Sequence, residues 1–383
     1  MQKKILYWSP CLNKVGTVKS TINSAIALKK YSNSNFEPII INACGEWDEY
    51  LEIFKSNQIE VIDLSKKKYF KYLPKEGFLF SRFSYILIFV FSFFPLLKVL
   101  KKTNNAYLVA HLITSLPIFL FNVFNINNKL VLRISGLPKL NYLRKNFWKM
   151  ASIKIDAITC PSLELIKKIA EDGIFHKQKV FFLPDAIYQV KDFINKKKHP
   201  LESSILGKKR IILGIGRLTR QKNFSFLINE FSIFFKKNKD FRLLILGDGE
   251  EKSKLQNIIK AEKLENDVFL VGRVDNIFNY LKRSEIFIMS SLWEDPGFVL
   301  VEAGLGNSFV ISSDCPNGPK EILDYGKNGL LYKSNLKYEI ANRLNDYLLL
   351  NNKRRSMMKN NLKKYISKYS IFRHYLSFKK IFK

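Results

Sequence analysis

At 383 residues, 47% of them hydrophobic and 25% charged, the chain is long and apolar enough for two cores, which excludes a disordered or fibrous protein. The 64 Lys and Arg against 33 Asp and Glu leave a net charge of +31, a surface drawn to polyanions such as anionic lipid headgroups, at about 1 kcal/mol per suitably placed Lys or Arg. The basic residues are spread along the whole chain without a nucleic-acid-reading motif, so no nucleic acid is expected. Cys11, Cys44, Cys160 and Cys315 show no metal-ligand or redox spacing, which fits a reduced, cytoplasmic setting.

Met1-Gln2-Lys3-Lys4 leads straight into a short apolar strand, Lys4–Trp8, and Pro10 and Asn13 follow too soon for a signal-peptide core. Asn13-Lys14-Val15-Gly16-Thr17 then opens a helix. Further strands are predicted at Pro38–Asn42, Val61–Leu64, Ala106–His111, Lys129–Ile134, Asp156–Cys160 and Val180–Leu183. All are short, apolar and separated by long polar or helical segments, the pattern of a parallel sheet. Phe83–Leu100 is about the length that crosses a bilayer, yet it carries Pro95 and Lys98 and lies where the fold needs a helix between two strands. Two readings stay open besides a true span: a helix partly against the sheet and partly in the lipid interface, framed by Arg82, Lys98, Lys101 and Lys102, or one wholly inside the protein. The loop Arg133-Ile134-Ser135-Gly136-Leu137-Pro138, with Lys139, Arg144 and Lys145 beyond it, reads as a contact for a phosphate-bearing acceptor or as a solvated loop.

Residues 189–209 are polar and lysine-rich and contain Pro200 and Gly207, so they read as a linker after a first domain of residues 1–188. The pattern restarts with strands at Arg210–Ile215, Phe241–Leu246, Val268–Val271, Ile286–Ser290 and Phe309–Ser312, giving a second domain over 210–355. In the tail, 356–383, Tyr365, Tyr369, Phe372, Tyr375, Phe378 and Phe382 alternate with lysines, which suits a docking helix or an aromatic-basic membrane anchor. The expected class is α/β: two doubly wound parallel-sheet, Rossmann-like domains facing across a cleft, with ligands beyond the carboxyl ends of the strands.

Two stretches of the second half carry chemistry. In Ile211–Asn223 a buried strand ends in Gly214 and Gly216, which let backbone approach a ligand, and Arg217, Arg220 and Lys222 follow in one loop as candidate diphosphate clamps. From Ser290 to Leu323, Pro296 and Gly297 mark a turn and helix start, and Phe298–Leu305 reads as a helix. Glu294 falls in the loop before it and Glu302 inside it. Two carboxylates can accept hydrogen bonds from sugar hydroxyls, and the N–H groups at a helix start suit an anion.

Gly216-Arg217-Leu218, Gln221-Lys222-Asn223 and the Glu294/Glu302 pair, in this order and spacing, resemble the retaining GT-B glycosyltransferases of family four, most densely over 210–332. The resemblance implies that Arg217, Lys222 and the helix start at Gly297 and Phe298 hold a UDP-sugar donor's diphosphate. It also implies that Glu294 contacts the sugar as a catalytic residue and that Glu302 binds the ribose; with no Asp-x-Asp motif placed after a strand, no metal or other cofactor is expected. Gly16 falls where relatives approach the donor phosphate, His111 where a relative's histidine lies near the donor sugar, and Arg273 where the base is held. A tight turn and a structural histidine are the alternatives for Gly16 and His111. Leu183-Pro184-Asp185-Ala186 stands at the relatives' Pro-Asn-Gly hinge. The segment from Ser313 to Glu321 resembles transferases of hexoses or N-acetylhexosamines in surface-polysaccharide assembly, such as O-antigen or capsule. From this come an oligosaccharide or polyprenyl-diphosphate-linked acceptor, an anionic membrane surface as partner, and a tail helix crossing back onto the first domain. Two departures stand out: Asp295-Pro296-Gly297 replaces the usual Gly-Phe-Gly, and Asn307-Ser308-Phe309 replaces Gly-x-Pro, with Asn tolerating the left-handed turn. The rival readings are another GT-B enzyme, such as a nucleotide-sugar epimerase or a phosphorylase, and a non-enzymatic polyanion-binding protein.

Overall fold

The computed structural model describes residues 2–12, 16–74, 78–136, 142–176, 179–198 and 207–382. Asn13 to Val15, Leu137 to Lys139, the side chain of Arg144, and 199–206 of the expected linker lie outside the described residues. The chain divides into two compact units, the first formed by Met1–Tyr188 and Tyr369–Lys383 and the second by Gln189–Lys368.

The first unit runs β1 (Lys3–Trp8), α1 (Gly16–Tyr31), β2 (Phe36–Asn42), α2 (Leu51–Ser56), β3 (Glu60–Asp63), α3 (Phe78–Lys102), β4 (Tyr107–Ala110), α4 (Ser115–Val123), β5 (Lys129–Arg133), α5 (Tyr142–Ser152), β6 (Ala157–Cys160), α6 (Leu163–Glu171) and β7 (Val180–Phe182). The strands form a parallel sheet of order β3-β2-β1-β4-β5-β6-β7, whose direction of winding reverses between β1 and β4. Every sequence-predicted strand of this half is present. Alternation along the strands splits the core in two. Leu6, Trp8, Ile39, Ile41, Leu108, Leu130 and Leu132 face one side with Ile88, Leu96 and Leu100 of α3. Ile5, Tyr7, Ile40, Val109 and Val131 face the other with α1.

The second unit follows with α7 (Val190–Lys198), β8 (Arg210–Ile215), α8 (Phe224–Phe235), β9 (Phe241–Leu246), α9 (Lys252–Ala261), β10 (Val268–Gly272), α10 (Ile277–Leu281), β11 (Ile286–Met289), α11 (Val299–Gly306), β12 (Phe309–Ser313), α12 (Pro319–Ile322), β13 (Leu330–Tyr332), α13 (Glu339–Leu349) and α14 (Asn352–Ile366). Its sheet is parallel, of order β10-β9-β8-β11-β12-β13, and the winding reverses between β8 and β11. Both sheets are the doubly wound kind expected. Within the expected linker, 190–198 form α7, with the ring of Phe193 set edge-on to Phe278 at 5.1 Å. α14 buries Met358, Leu362 and Ile366 in the second unit, and only from Tyr369 does the chain rejoin the first, as α15 (Ile371–Ile381). The return is pinned by backbone hydrogen bonds from Ile187 N–H to Tyr369 and from Ile371 N–H to Tyr188. α15 covers the α1 side of the first sheet with Ile371, Tyr375, Phe378 and Phe382, each burial contributing about 1.5–3 kcal/mol.

Candidate functional site

The winding reversal of the second sheet separates the loops after β8 and β11, and there Lys222, Glu294 and Gly297 converge. After β8 the chain makes a single 3-10 turn, Arg220–Lys222, ended by Asn223 in the left-handed conformation (φ +53°), which a short polar side chain tolerates. The turn aims Lys222 back over Gly216. A Cβ on Gly216 would lie 3.1 Å from the Lys222 side chain, so glycine leaves the room for this path. The Lys222 Nζ meets Glu294 Oε1 at 2.5 Å, an ion pair between residues far apart in sequence, and Glu294 is 5% exposed. Gly297, at φ +83°, turns the chain beneath the Glu294 stem and into α11, whose start carries no side-chain cap.

Serines that the sequence reading passed over fix both ends of the pair. Ser291 Oγ donates to Glu294 Oε1 at 2.5 Å, Ser290 Oγ to the Lys222 carbonyl at 2.7 Å, and Ser313 Oγ to the Ser291 carbonyl at 2.6 Å. Leu292 N–H donates to the Gln221 carbonyl, and Gln221 Nε2 to that of Trp293, each at 2.8 Å, so the two loops are stitched together. The only trace of this in sequence is the pairing of Ser290-Ser291 after β11 with Ser312-Ser313 at the end of β12.

Arg217 and Arg273 are exposed on the loops after β8 and β10, and Glu302 is half-buried on α11. Asn307 ends α11 with φ +72°, the left-handed turn that replaces glycine. The Asp295 carboxylate accepts from Asn317 Nδ2 at 3.2 Å, and desolvation, together with the Glu294 charge, holds it above the usual carboxylate range. The pair Lys222 and Glu294, with Gly297 and the start of α11, brings a cation, a carboxylate and a helix end without a side-chain cap together at the β8/β11 reversal of the second unit. That set can hold an anion and hydroxyls together.

Gly16 and His111 belong to the first unit. Gly16 is the first, exposed residue of α1. His111 follows β4, is buried, and has Nε2 3.0 Å from Ser135 Oγ. Burial, then the nearby Arg133 charge, pushes its imidazole down to about 3, so it is neutral near pH 7. Arg133 is not on a solvated loop: it is buried and ion-paired to the buried Asp185, which also accepts from Ser20 Oγ at 2.6 Å. A small cavity lined by Tyr7, Ser24, His111, Arg133, His374 and Phe378 adjoins this pair. His374 of α15 bonds the Pro184 carbonyl through Nδ1 at 2.6 Å and Ser24 Oγ through Nε2 at 2.7 Å, and burial lowers it to about 4. Among the described residues, no three His, Cys, Asp or Glu side chains gather as a metal site.

Both histidines titrate below the ordinary 6.5, so between there and their folded values the unfolded chain binds more protons. Stability is therefore lost as pH falls through that window, at up to about 1.4 kcal/mol per pH unit for each ring. Glu46, raised by burial, acts in the opposite sense, so the difference between proteins is the measure. Guanidinium unfolding at pH 7 and pH 5 should show a smaller loss in His374→Gln than in the parent, by about 2 kcal/mol. Equal losses would mean that the ring is reached by water.

The family described as Glycosyl transferases group 1 matches residues 195–365. An uncharacterised glycosyltransferase of Methanocaldococcus jannaschii is 33% identical over 63% of this chain and 66% of its own length, slightly short of two thirds of that protein. A Campylobacter jejuni protein named as an alpha-1,4-N-acetyl-D-galactosaminyltransferase acting on a GalNAc-containing, diphosphate-undecaprenol-linked acceptor is 24% identical over 93% of this chain and 92% of that one. The solved Anabaena protein HepE in complex with UDP superposes with a TM-score of 0.74 at 14% identity, over 100% of this chain and 99% of that one, a likeness of fold. That profile lies over the unit that carries Lys222 and Glu294, so residues 195–365 resemble the group 1 glycosyl transferases, in a chain whose two doubly wound sheets are those of the GT-B fold.

Proposed function

We propose that the chain transfers a hexose or N-acetylhexosamine, with retention of anomeric configuration, from a UDP-sugar to a polyprenyl-diphosphate-linked oligosaccharide in surface-polysaccharide assembly. It would act as a peripheral protein on the cytoplasmic face of the membrane. The observation that carries the reading is the Lys222–Glu294 pair at the β8/β11 reversal, with the uncapped start of α11 beside it. UDP in the Anabaena structure and the lipid-linked acceptor in the Campylobacter name support the two substrates.

In this reading the bond from the sugar's anomeric carbon to the β-phosphate oxygen breaks, and that carbon bonds to the acceptor hydroxyl oxygen. The hydroxyl proton goes to the departing phosphate. Charge grows on the diphosphate as it leaves, and Lys222, Arg217 and the helix start stabilise that charge more than the ground state. Glu294, released from Lys222 by the donor, accepts from sugar hydroxyls, while Glu302 takes the ribose and Arg273 lies along the base. Gly16 and His111 would act from the first unit, His111 as a neutral hydrogen-bonding group. No metal takes part in this scheme.

Radiolabelled UDP-sugars offered with a polyprenyl-diphosphate oligosaccharide should yield a longer lipid-linked product with the donor's anomeric configuration, at a rate unaffected by EDTA. Epimerised donor with no transfer would overturn the reading, and reversible inactivation by EDTA would overturn its metal-free part. Full turnover with a lipid-free acceptor would remove the lipid.

A further inference from the structure

α3 is apolar all round, yet only one of its faces is used by the fold. Ser84, Ile88, Ser92, Leu96 and Leu100, spaced four residues apart, are buried, the three aliphatic ones in the core beneath the first sheet. On the opposite side Phe80, Phe83, Ile86, Val90, Phe91 and Phe94 are 55–75% exposed. At about 100° per residue these six occupy one stripe, and about 1.5 Å of rise per residue makes it roughly 20 Å long. Phe119 of α4, in ring contact with Phe93 at 5.8 Å, and Val123 widen it. A continuous apolar patch of this kind on a chain rich in charge marks a contact surface.

The charges choose what covers it. Continued toward the C-terminus, the same stripe passes from Phe94 to Lys98, Lys101 and Lys102, all exposed. α3 contains no Asp or Glu. A second copy of a chain with net charge +31 would bring like charges together at the lysine end, whereas an anionic surface would neutralise them. The helix is long and apolar enough to span a membrane, but spanning would strip Ile88, Leu96 and Leu100 out of the core they complete. We infer that α3 is an in-plane membrane-docking helix. Its Phe80–Phe94 stripe enters the acyl boundary of an anionic leaflet, and Lys98, Lys101 and Lys102 meet the lipid phosphates. This names the surface behind the peripheral location proposed above and rests on that location, not on sugar transfer.

Vesicle sedimentation of the full chain separates the two. The protein should pellet with phosphatidylglycerol-containing vesicles and much less with phosphatidylcholine alone. Phe83→Glu/Phe94→Glu should reduce partitioning at least tenfold, Lys98→Gln/Lys101→Gln/Lys102→Gln should reduce it severalfold, and both variants should keep the parent's melting temperature and UDP binding. Undiminished binding by the Phe83/Phe94 variant would overturn the assignment, as would a concentration-dependent dimer that this variant abolishes in the absence of vesicle binding. Failure of sugar transfer with intact vesicle binding would leave it standing.

Discussion

Lys222→Ala should lower kcat/KM for transfer from the UDP-sugar by about two to three orders of magnitude, the loss typical when one preorganised group facing developing charge is removed. Two effects act together. In the proposed reaction the diphosphate loses a cation that the pairing with Glu294 at 2.5 Å already holds in one place. Glu294, 5% exposed, also loses its counter-charge, so the unliganded variant holds a buried carboxylate with the Ser291 hydrogen bond but without its cation, and should melt earlier. Glu294→Gln distinguishes catalysis from folding. The amide keeps the shape, and its carbonyl can still accept from Ser291, so stability should be kept while turnover falls. Steady-state kinetics beside thermal melts of both variants check this, and parental kcat/KM in Lys222→Ala would take the lysine out of the site.

Asp185→Ala should cost about 3–5 kcal/mol of stability, because it leaves the Arg133 guanidinium, 9% exposed, without its counter-charge and Ser20 without its acceptor. That is a large part of the roughly 5–15 kcal/mol that holds a domain folded. Replacing both partners by apolar residues of similar volume, Arg133→Met with Asp185→Leu, should recover much of the loss, since no unpaired charge then remains. Urea unfolding of the single and double variants measures the contrast. A cost below 1 kcal/mol for Asp185→Ala would mean that water replaces the carboxylate.

The sheets were readable because the central strands, such as β1, β2, β4, β8, β9, β11 and β12, are apolar runs buried on both faces, a local signal that survives without its neighbours. Leu330–Tyr332 escaped because three residues after Asn328-Gly329 make too short a run to separate from a loop. α7 escaped for the opposite reason: Lys191 to Lys198 read as polar linker, and the contact that steadies the helix, Phe193 on Phe278, joins residues far apart in sequence. At the second-unit site, Lys222, Glu294 and Gly297 were legible as residue types at a spacing, whereas their mutual pairing and the serines behind it belong to the folded geometry. The Arg133–Asp185 pair shows the limit most clearly. A basic residue at a strand end and an acid after Leu183-Pro184 suggested a ligand contact and a hinge turn, and only the register of β5, β6 and β7 brings them together in the interior.

The return of α15 to the first unit has a consequence for biosynthesis. His374, Tyr375, Phe378 and Phe382 complete a core begun by β1 and α1, and the whole of Gln189–Lys368 is translated between them. At about 5–20 residues per second, the nascent amino-terminal sheet waits on the order of ten seconds or more, with only α1 over the side that α15 also covers, until α15 has been made. A premature stop codon at Ile371 would thus damage the unit that begins with β1.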